Sequence, residues 1–226
     1  MSRSWRELAA EDDAISWLRA TVACSPHPVE VMPCAAGDGR RTLEWLQVST
    51  RSPLGAIALH TGGLLVDHGW LRVLGAGCDR LPRALDVWNG VPPRLTSGLL
   101  VADDVLGGSF AWFREPRTIH YFAPDTLRWE DLELGYADWL ATMLGDDLGA
   151  FYASLRWDRW QDEVLPLAGD RALLVWPPLV AAGPPVADRA RRPVPMTEAW
   201  ALHQQLAENL AALPDGAPFE VQVTEG

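Results

Sequence analysis

The densest cluster of groups able to do chemistry is Asp67-His68-Gly69-Trp70-Leu71-Arg72. An imidazole beside a carboxylate can work as a general base with its orienting partner, or as half of a metal site. On a strand, however, adjacent side chains point to opposite faces, so Asp67 and His68 serve one site only if a bulge at Gly69 intervenes. A second acidic pair, Asp103-Asp104, precedes Gly107-Gly108 and could offer oxygen ligands to a hard cation. It lacks the alternating ligands of an EF-hand loop and a Glu at its twelfth position, so a turn is the simpler reading and no metal site is expected. An enzyme of the hydrolytic or small-molecule type would have to gather His68, Asp103, Asp104 and Asp125 at strand ends.

Nucleophilic chemistry has no recognisable setting. The chain has no G-x-S-x-G elbow, and Thr50-Arg51-Ser52-Pro53 is expected to lead into a strand, with no helix to activate its hydroxyls. Cys24, Cys34 and Cys78 are odd in number and show no CxxC spacing, so they read as reduced, buried thiols. His27, His60, His120 and His203 are scattered without ligand spacing. No cofactor is expected.

Two aromatic stretches have a double reading. In Ile119 to Asp131, Tyr121, Phe122 and Trp129 either cover the core or form a recognition patch beside Asp125 at the hairpin tip. In Leu155 to Glu163, Trp157 and Trp160 share a helix face flanked by Arg156 and Arg159. Exposed, they would be interface anchors; buried, they are core.

The elements that must position these residues follow from periodicity. Residues 1 to 23 read as one amphipathic helix, with Ser4 and Glu7 at capping-box spacing and Leu8, Ile15, Leu18 and Val22 on one face. Val29 to Met32 is a strand and Asp38 to Leu46 a helix. From Leu54 the period changes to two. Leu54 to His60 and Leu64 to Leu74 are expected as a hairpin around Thr61-Gly62-Gly63. Pro82 to Trp88 makes a helical turn stopped by Asn89-Gly90. Leu99 to Ala102, Ser109 to Phe113, Ile119 to Phe122 and Arg128 to Leu132 follow as strands with links too short for parallel crossovers, hence an antiparallel meander. Tyr136 to Leu144 and Leu148 to Leu155 are helices by their i, i+3, i+4 spacing; Arg156 to Leu165 continues helical, and Leu173 to Trp176 adds a strand.

The fold class is therefore α+β, an antiparallel meander with helices mainly on one face, spanning residues 1–176. Six prolines between Pro177 and Pro195 mark an irregular linker over 177–196. Residues 197–226 supply a last helix, Thr197 to Ala212, with Thr197 as N-cap and Trp200, Leu206, Leu210 and Leu213 near one face, then a tail.

Composition narrows the function class. With 19 basic and 30 acidic side chains the formal charge of the 226-residue chain is -11, which argues against nucleic-acid or anionic-membrane binding. No apolar run is long enough to cross a bilayer and the charged start is not a signal peptide, so a cytoplasmic protein is expected. Residues 125–170 alone carry -8; on the solvent faces of the helices, that acid would be a solubility device or a docking surface for a basic partner. All the cations are Arg, and Trp, at 12, outnumbers Phe and Tyr together. Trp70, Trp112, Trp129 and Trp139 lie on periodic elements and are expected in the core.

The blocks Thr50-Arg-Ser-Pro-Leu-Gly-Ala-Ile57, Asp67-His-Gly-Trp-Leu-Arg72, Ala102-Asp-Asp-Val-Leu-Gly-Gly108 and Tyr121-Phe-Ala-Pro-Asp-Thr-Leu127, with Trp129-Glu130, resemble those of an uncharacterised bacterial family with a domain of unknown function. With Leu155-Arg-Trp157 and Trp160 they cover residues 1–176. The chain departs from that family at Arg114 to Thr118, where a longer glycine-rich loop is usual, and nothing in 178–226 is recognisable. The order of helix, Leu81-Pro82 to Trp88-Asn89-Gly90 and meander is also similar to the SUKH superfamily. That resemblance implies an α+β fold and, for many bacterial members, immunity proteins that bind and neutralise toxins.

The leading expectation is thus a non-enzymatic module that captures a toxin-like or other basic protein, with Asp67, His68, Trp70, Arg72, Asp103, Asp104, Tyr121, Asp125, Trp157 and Trp160 as candidate binding residues. The alternatives are the enzyme described above and a structural homo-oligomer built on the C-terminal helix.

Overall fold

Short, turn-linked apolar segments pair in sequence order to form the centre of the molecule. The computed structural model describes residues 2–212. Its main sheet is a seven-stranded antiparallel meander: β1 (Val29–Met32), β2 (Gly63–Val66), β3 (Leu71–Leu74), β4 (Gly98–Asp104), β5 (Ser109–Phe113), β6 (Ile119–Phe122) and β7 (Trp129–Asp131), each beside its sequence neighbours. The register sets Phe110 opposite Tyr121 on one face and Ser109 opposite Phe122 on the other.

Helices cover mainly the first face. They are α1 (Trp5–Leu8), α2 (Ile15–Ala23), α3 (Ala36–Leu46), α4 (Pro53–His60), α5 (Leu85–Trp88), α6 (Tyr136–Leu144), α7 (Asp147–Phe151) and α8 (Trp160–Val164). Phe110 packs against Trp139 of α6 and Phe151 of α7, with ring centroids 5.1 and 5.8 Å apart. The second face receives a separate two-stranded sheet, β8 (Arg171–Trp176) with β9 (Ala190–Pro195), and α9 (Met196–Ala211). Trp200 of α9 meets Phe122 and Trp129. Both faces are drained of water by one continuous apolar cluster that includes Leu173, Val194 and Trp200 beside the meander residues. Among the described residues no helix is long and apolar enough to cross a membrane.

Several elements differ from the sequence expectation. The N-terminal helix is two helices. The Ser4–Glu7 capping box forms, but the chain then turns out so that the Thr50 amide donates to the Leu8 carbonyl and the Ala14 amide to the Thr50 carbonyl. Leu54 to His60 is helix α4, not a strand: Ser52 Oγ accepts from the Gly55 amide at 3.1 Å and Pro53 occupies the first turn. With Leu54 to Ala58 all buried, apolar period could not separate helix from strand. Leu64 to Leu74 is two strands joined by a turn at 67–70, which carries Asp67, His68 and Gly69 at φ 49°, 60° and 85°. The helical turns after Leu144 are shorter than periodicity suggests: α7 ends at Phe151, and α8 begins only at Trp160, after Arg159 in a left-handed conformation (φ 58°). Within the proline-rich stretch, Ala190 to Pro195 forms β9 against β8; Pro193 and Pro195 lie on a strand with only one paired edge, where a missing amide is tolerated. Helix α9 begins at Met196 with Pro195 as its cap residue, so Thr197 is inside the helix. Leu213 and the tail from Pro214 lie outside the described residues. The three cysteines are free, but Cys24 is exposed and Cys34 and Cys78 are half-buried. Trp70 and Trp139 are fully buried, whereas Trp112 and Trp129 are partly exposed.

Candidate functional site

Two sequence-distant blocks meet at the β2–β3 turn. Asp67 is held by its own amide, which donates to the Pro28 carbonyl at 2.8 Å, and by the Trp70 amide, which donates to the Asp67 carbonyl at 3.0 Å. Its carboxylate is buried and lies 2.7 Å from Arg156 Nη2 and 3.8 Å from His27 Nδ1. The Arg156 guanidinium stacks over Trp160, Trp70 and Tyr152, with its central carbon 4.5, 4.9 and 5.6 Å from the ring centroids. A planar, weakly hydrated cation suits such a stack better than an ammonium would. His68 sits half-buried at the rim, edge-on to Trp160 at 6.0 Å. Trp157 closes the cluster against Trp70 and donates from Nε1 to Glu163 at 2.9 Å. Arg191 then lies over the Trp157 ring at 4.2 Å and forks to both Glu163 oxygens at 3.0 Å.

Asp103 and Asp104 are consecutive on β4, so they point to opposite faces. Asp103 faces β8. It accepts from both Nη atoms of Arg83, Nη2 at 2.9 Å, and lies 3.9 Å from Arg72. Arg72 and Arg83 also donate to backbone carbonyls, Arg72 to Gly69 and Arg171, Arg83 to Gly169. Burial lowers the Arg72 pKa to about 10, a fall opposed chiefly by the neighbouring Asp103 charge.

Asp104 faces α6 and α7. One carboxylate oxygen accepts from the Leu106 and Gly108 amides at 2.9 and 3.0 Å, closing its own turn, and the other accepts from the Tyr121 hydroxyl at 2.7 Å. Gly108 is required here, since a Cβ would overlap both the carboxylate and the Tyr121 oxygen. Burial raises Asp104 to about 6 even though the Tyr121 and backbone donors favour its charged form, and burial likewise pushes Tyr121 well above the ordinary phenol range.

The structure thus brings Asp67, His68, Trp70, Trp157 and Trp160 together, pairs Arg72 with Asp103 and pairs Asp104 with Tyr121. Asp125 is exposed at the tip of the β6–β7 hairpin and makes no hydrogen bond or ion pair with any of them. His68, Asp103, Asp104 and Asp125 do not line a common cavity: Asp103 and Asp104 have no solvent exposure and face away from each other. The reading of Trp157 and Trp160 as exposed interface anchors is corrected, because their exposures are 8% and 7% and they pack on Trp70. Among the described residues no group of three or more His, Cys, Asp or Glu side chains is placed to hold a metal ion.

Arg83, His27, Tyr152 and the Glu163–Arg191 pair escaped sequence reasoning. Each acts across at least 20 positions or from an unpatterned loop, and only the Arg156-Trp157 to Trp160 spacing hinted at the stack. Between residues 125 and 162 the exposed charge is mostly acid, with Arg128 and Arg159 the exposed cations. Asp125, Glu130, Asp131, Glu133, Asp138, Asp146, Asp147, Asp158 and Asp162 are all exposed; of these, Asp162 pairs with Arg159 at 2.6 Å and Asp131 lies 3.6 Å from His120.

Comparison with known proteins accounts for most of the chain. It is 35% identical to the uncharacterized protein YbfG of Escherichia coli (strain K12) over 204 residues, 88% of this chain and 94% of that protein. It is 39% identical to an uncharacterized protein of Haemophilus influenzae over 160 residues, 66% of this chain and 70% of that one. No solved structure matches it. Residues 6–199 match the model of the family described as Protein of unknown function DUF2625, and the chain belongs to that family.

Proposed function

We propose that the protein is a non-enzymatic binding module that captures a basic protein partner, in the manner of an immunity protein neutralising a toxin. The observation that carries this reading is the division of charge. The interior carboxylates Asp67, Asp103 and Asp104 are committed to Arg156, Arg83 and Tyr121, while seven of the exposed acids between 125 and 162 have no ion-pair partner among the described residues. Buried, satisfied carboxylates serve the fold. Exposed, unpaired ones steer and hold a cationic partner, and that attraction weakens with salt.

The test is capture from the native cytoplasm by the full chain and by a variant carrying Asp138→Asn, Asp146→Asn, Asp147→Asn and Asp158→Asn, at low and high salt. A specific partner held by the native chain at low salt, released at high salt and lost by the variant is expected. Equal capture by both proteins, or no salt-sensitive partner, would refute the proposal.

A further inference from the structure

Apart from the buried clusters, one open surface groove is large enough for a small ligand. It has a volume of about 640 Å³ and lies between the segment entering β4 and the β5–β6 turn, lined by Thr96, Ser97, Leu99, Trp112, Arg114 and Glu115. That size is in the range of small-molecule sites, roughly 300–1,000 Å³. Its walls are held from both sides. Asn89 donates to the Leu100 carbonyl at 2.9 Å and accepts from the Leu100 amide at 2.8 Å, which fixes the start of β4. Trp200 Nε1 donates to the Pro93 carbonyl at 2.9 Å, which pins the approach segment to α9. The Leu99–Trp112 register places the apolar floor.

The polar groups on this frame are unspent. Thr96, Ser97, Arg114 and Glu115 are exposed, and none of their side chains makes a hydrogen bond or ion pair among the described residues. Arg114 and Glu115 are opposite in charge, so together they select neither an anion nor a cation. One offers only donors, the other only acceptors, and the two hydroxyls offer both. Such a mixture matches a ligand dense in hydroxyl groups, each of which donates and accepts. The partly exposed Trp112 adds a flat apolar face with an N–H at its edge, suited to the C–H face of a sugar ring.

We infer that this groove binds a neutral saccharide, with the ring on Trp112 and its hydroxyls shared among Arg114, Glu115, Thr96 and Ser97. The inference is independent of the acidic docking surface.

The experiment follows the side-chain indole N–H resonances of the isotope-labelled full chain, with Trp112→Phe identifying the Trp112 signal, during titration with glucose, galactose, N-acetylglucosamine and maltose. A saturable shift of the Trp112 signal with at least one sugar is expected. By tryptophan fluorescence the same sugar should bind about tenfold more weakly to Arg114→Ala, in line with the loss of a charged hydrogen bond. Trp112→Ala should abolish binding while keeping its urea midpoint. If Trp112→Ala does not fold, Arg114→Ala, a change at an exposed side chain, decides alone. No saturable shift with any of the four sugars, undiminished binding by Arg114→Ala, or a stronger response to acetate or tetramethylammonium would overturn the inference.

Discussion

Replacing Asp103 with Ala removes one carboxylate and leaves two guanidinium groups inside the protein. Asp103 has no solvent exposure, and Arg72 and Arg83 are 1% and 7% exposed. At an effective dielectric of about 20, charges separated by the 2.9 Å and 3.9 Å of these contacts attract by about 6 and 4 kcal/mol. Desolvation of the three groups cancels most of that in the intact cluster, so the cluster as a whole contributes little net stability. Removing its one anion is different, because the desolvation cost stays while the attraction goes and the two cations then repel. The expected loss is about 3–5 kcal/mol, a large share of the roughly 5–15 kcal/mol that holds a domain together. Urea unfolding followed by tryptophan fluorescence measures it. The double variant Arg83→Met/Asp103→Ala should recover about 1–3 kcal/mol relative to the sum of the single changes. A loss below about 1 kcal/mol for Asp103→Ala, or strict additivity in the double variant, would refute the claim that these charges depend on one another.

Two buried groups titrate with opposite signs. Asp104 binds its proton more tightly folded, with a pKa of about 6 against 3.8, so its contribution to stability is greatest in acid and falls as pH rises from about 4 to about 6. The difference in unfolding free energy between the native chain and Asp104→Asn should shrink over that window, and a flat or rising difference would contradict the burial argument. His203 is held neutral by burial, its pKa lowered to about 4 from 6.5, so its contribution is intact above about 6.5 and is lost as pH falls toward about 4. His203→Gln should therefore lose less stability between those pH values than the native chain, as acid unfolding curves would reveal. Arg156→Lys keeps the charge beside Asp67 but gives up the planar stack over Trp70, Tyr152 and Trp160; a loss of about 1–2 kcal/mol in thermal or urea unfolding is expected, and a neutral result would mean the ion pair alone holds that turn.

Legibility in the sequence varied with the range of the forces involved. The run from β4 to β7 was readable because period-two apolar segments joined by four to six turn-forming residues leave only antiparallel neighbours possible, whereas the longer β1–β2 and β3–β4 connections left those pairings open. The capping box at Ser4 and Glu7 was readable because its partners are three residues apart. Helix α4 was legible in principle, in Ser52-Pro53, yet the wholly apolar run behind it hid the period. The site was less readable. The sequence showed Asp67-His68 as neighbours and Trp157 and Trp160 on one face, but not that Arg156 would reach back about ninety residues to Asp67 and draw both indoles under cover.

What local chemistry decides could be read from the chain alone: the antiparallel run of β4 to β7, most helix positions, and an acidic excess that is largest in residues 125–170. Whether a given charge is interior or exposed was decided only by the tertiary structure. Asp103 and Asp104 are adjacent and chemically identical, yet the pleat sends one to Arg83 and the other to Tyr121. Those partners come from separate segments of the chain, and only the packing of the sheet between its two covering layers places them within hydrogen-bond reach.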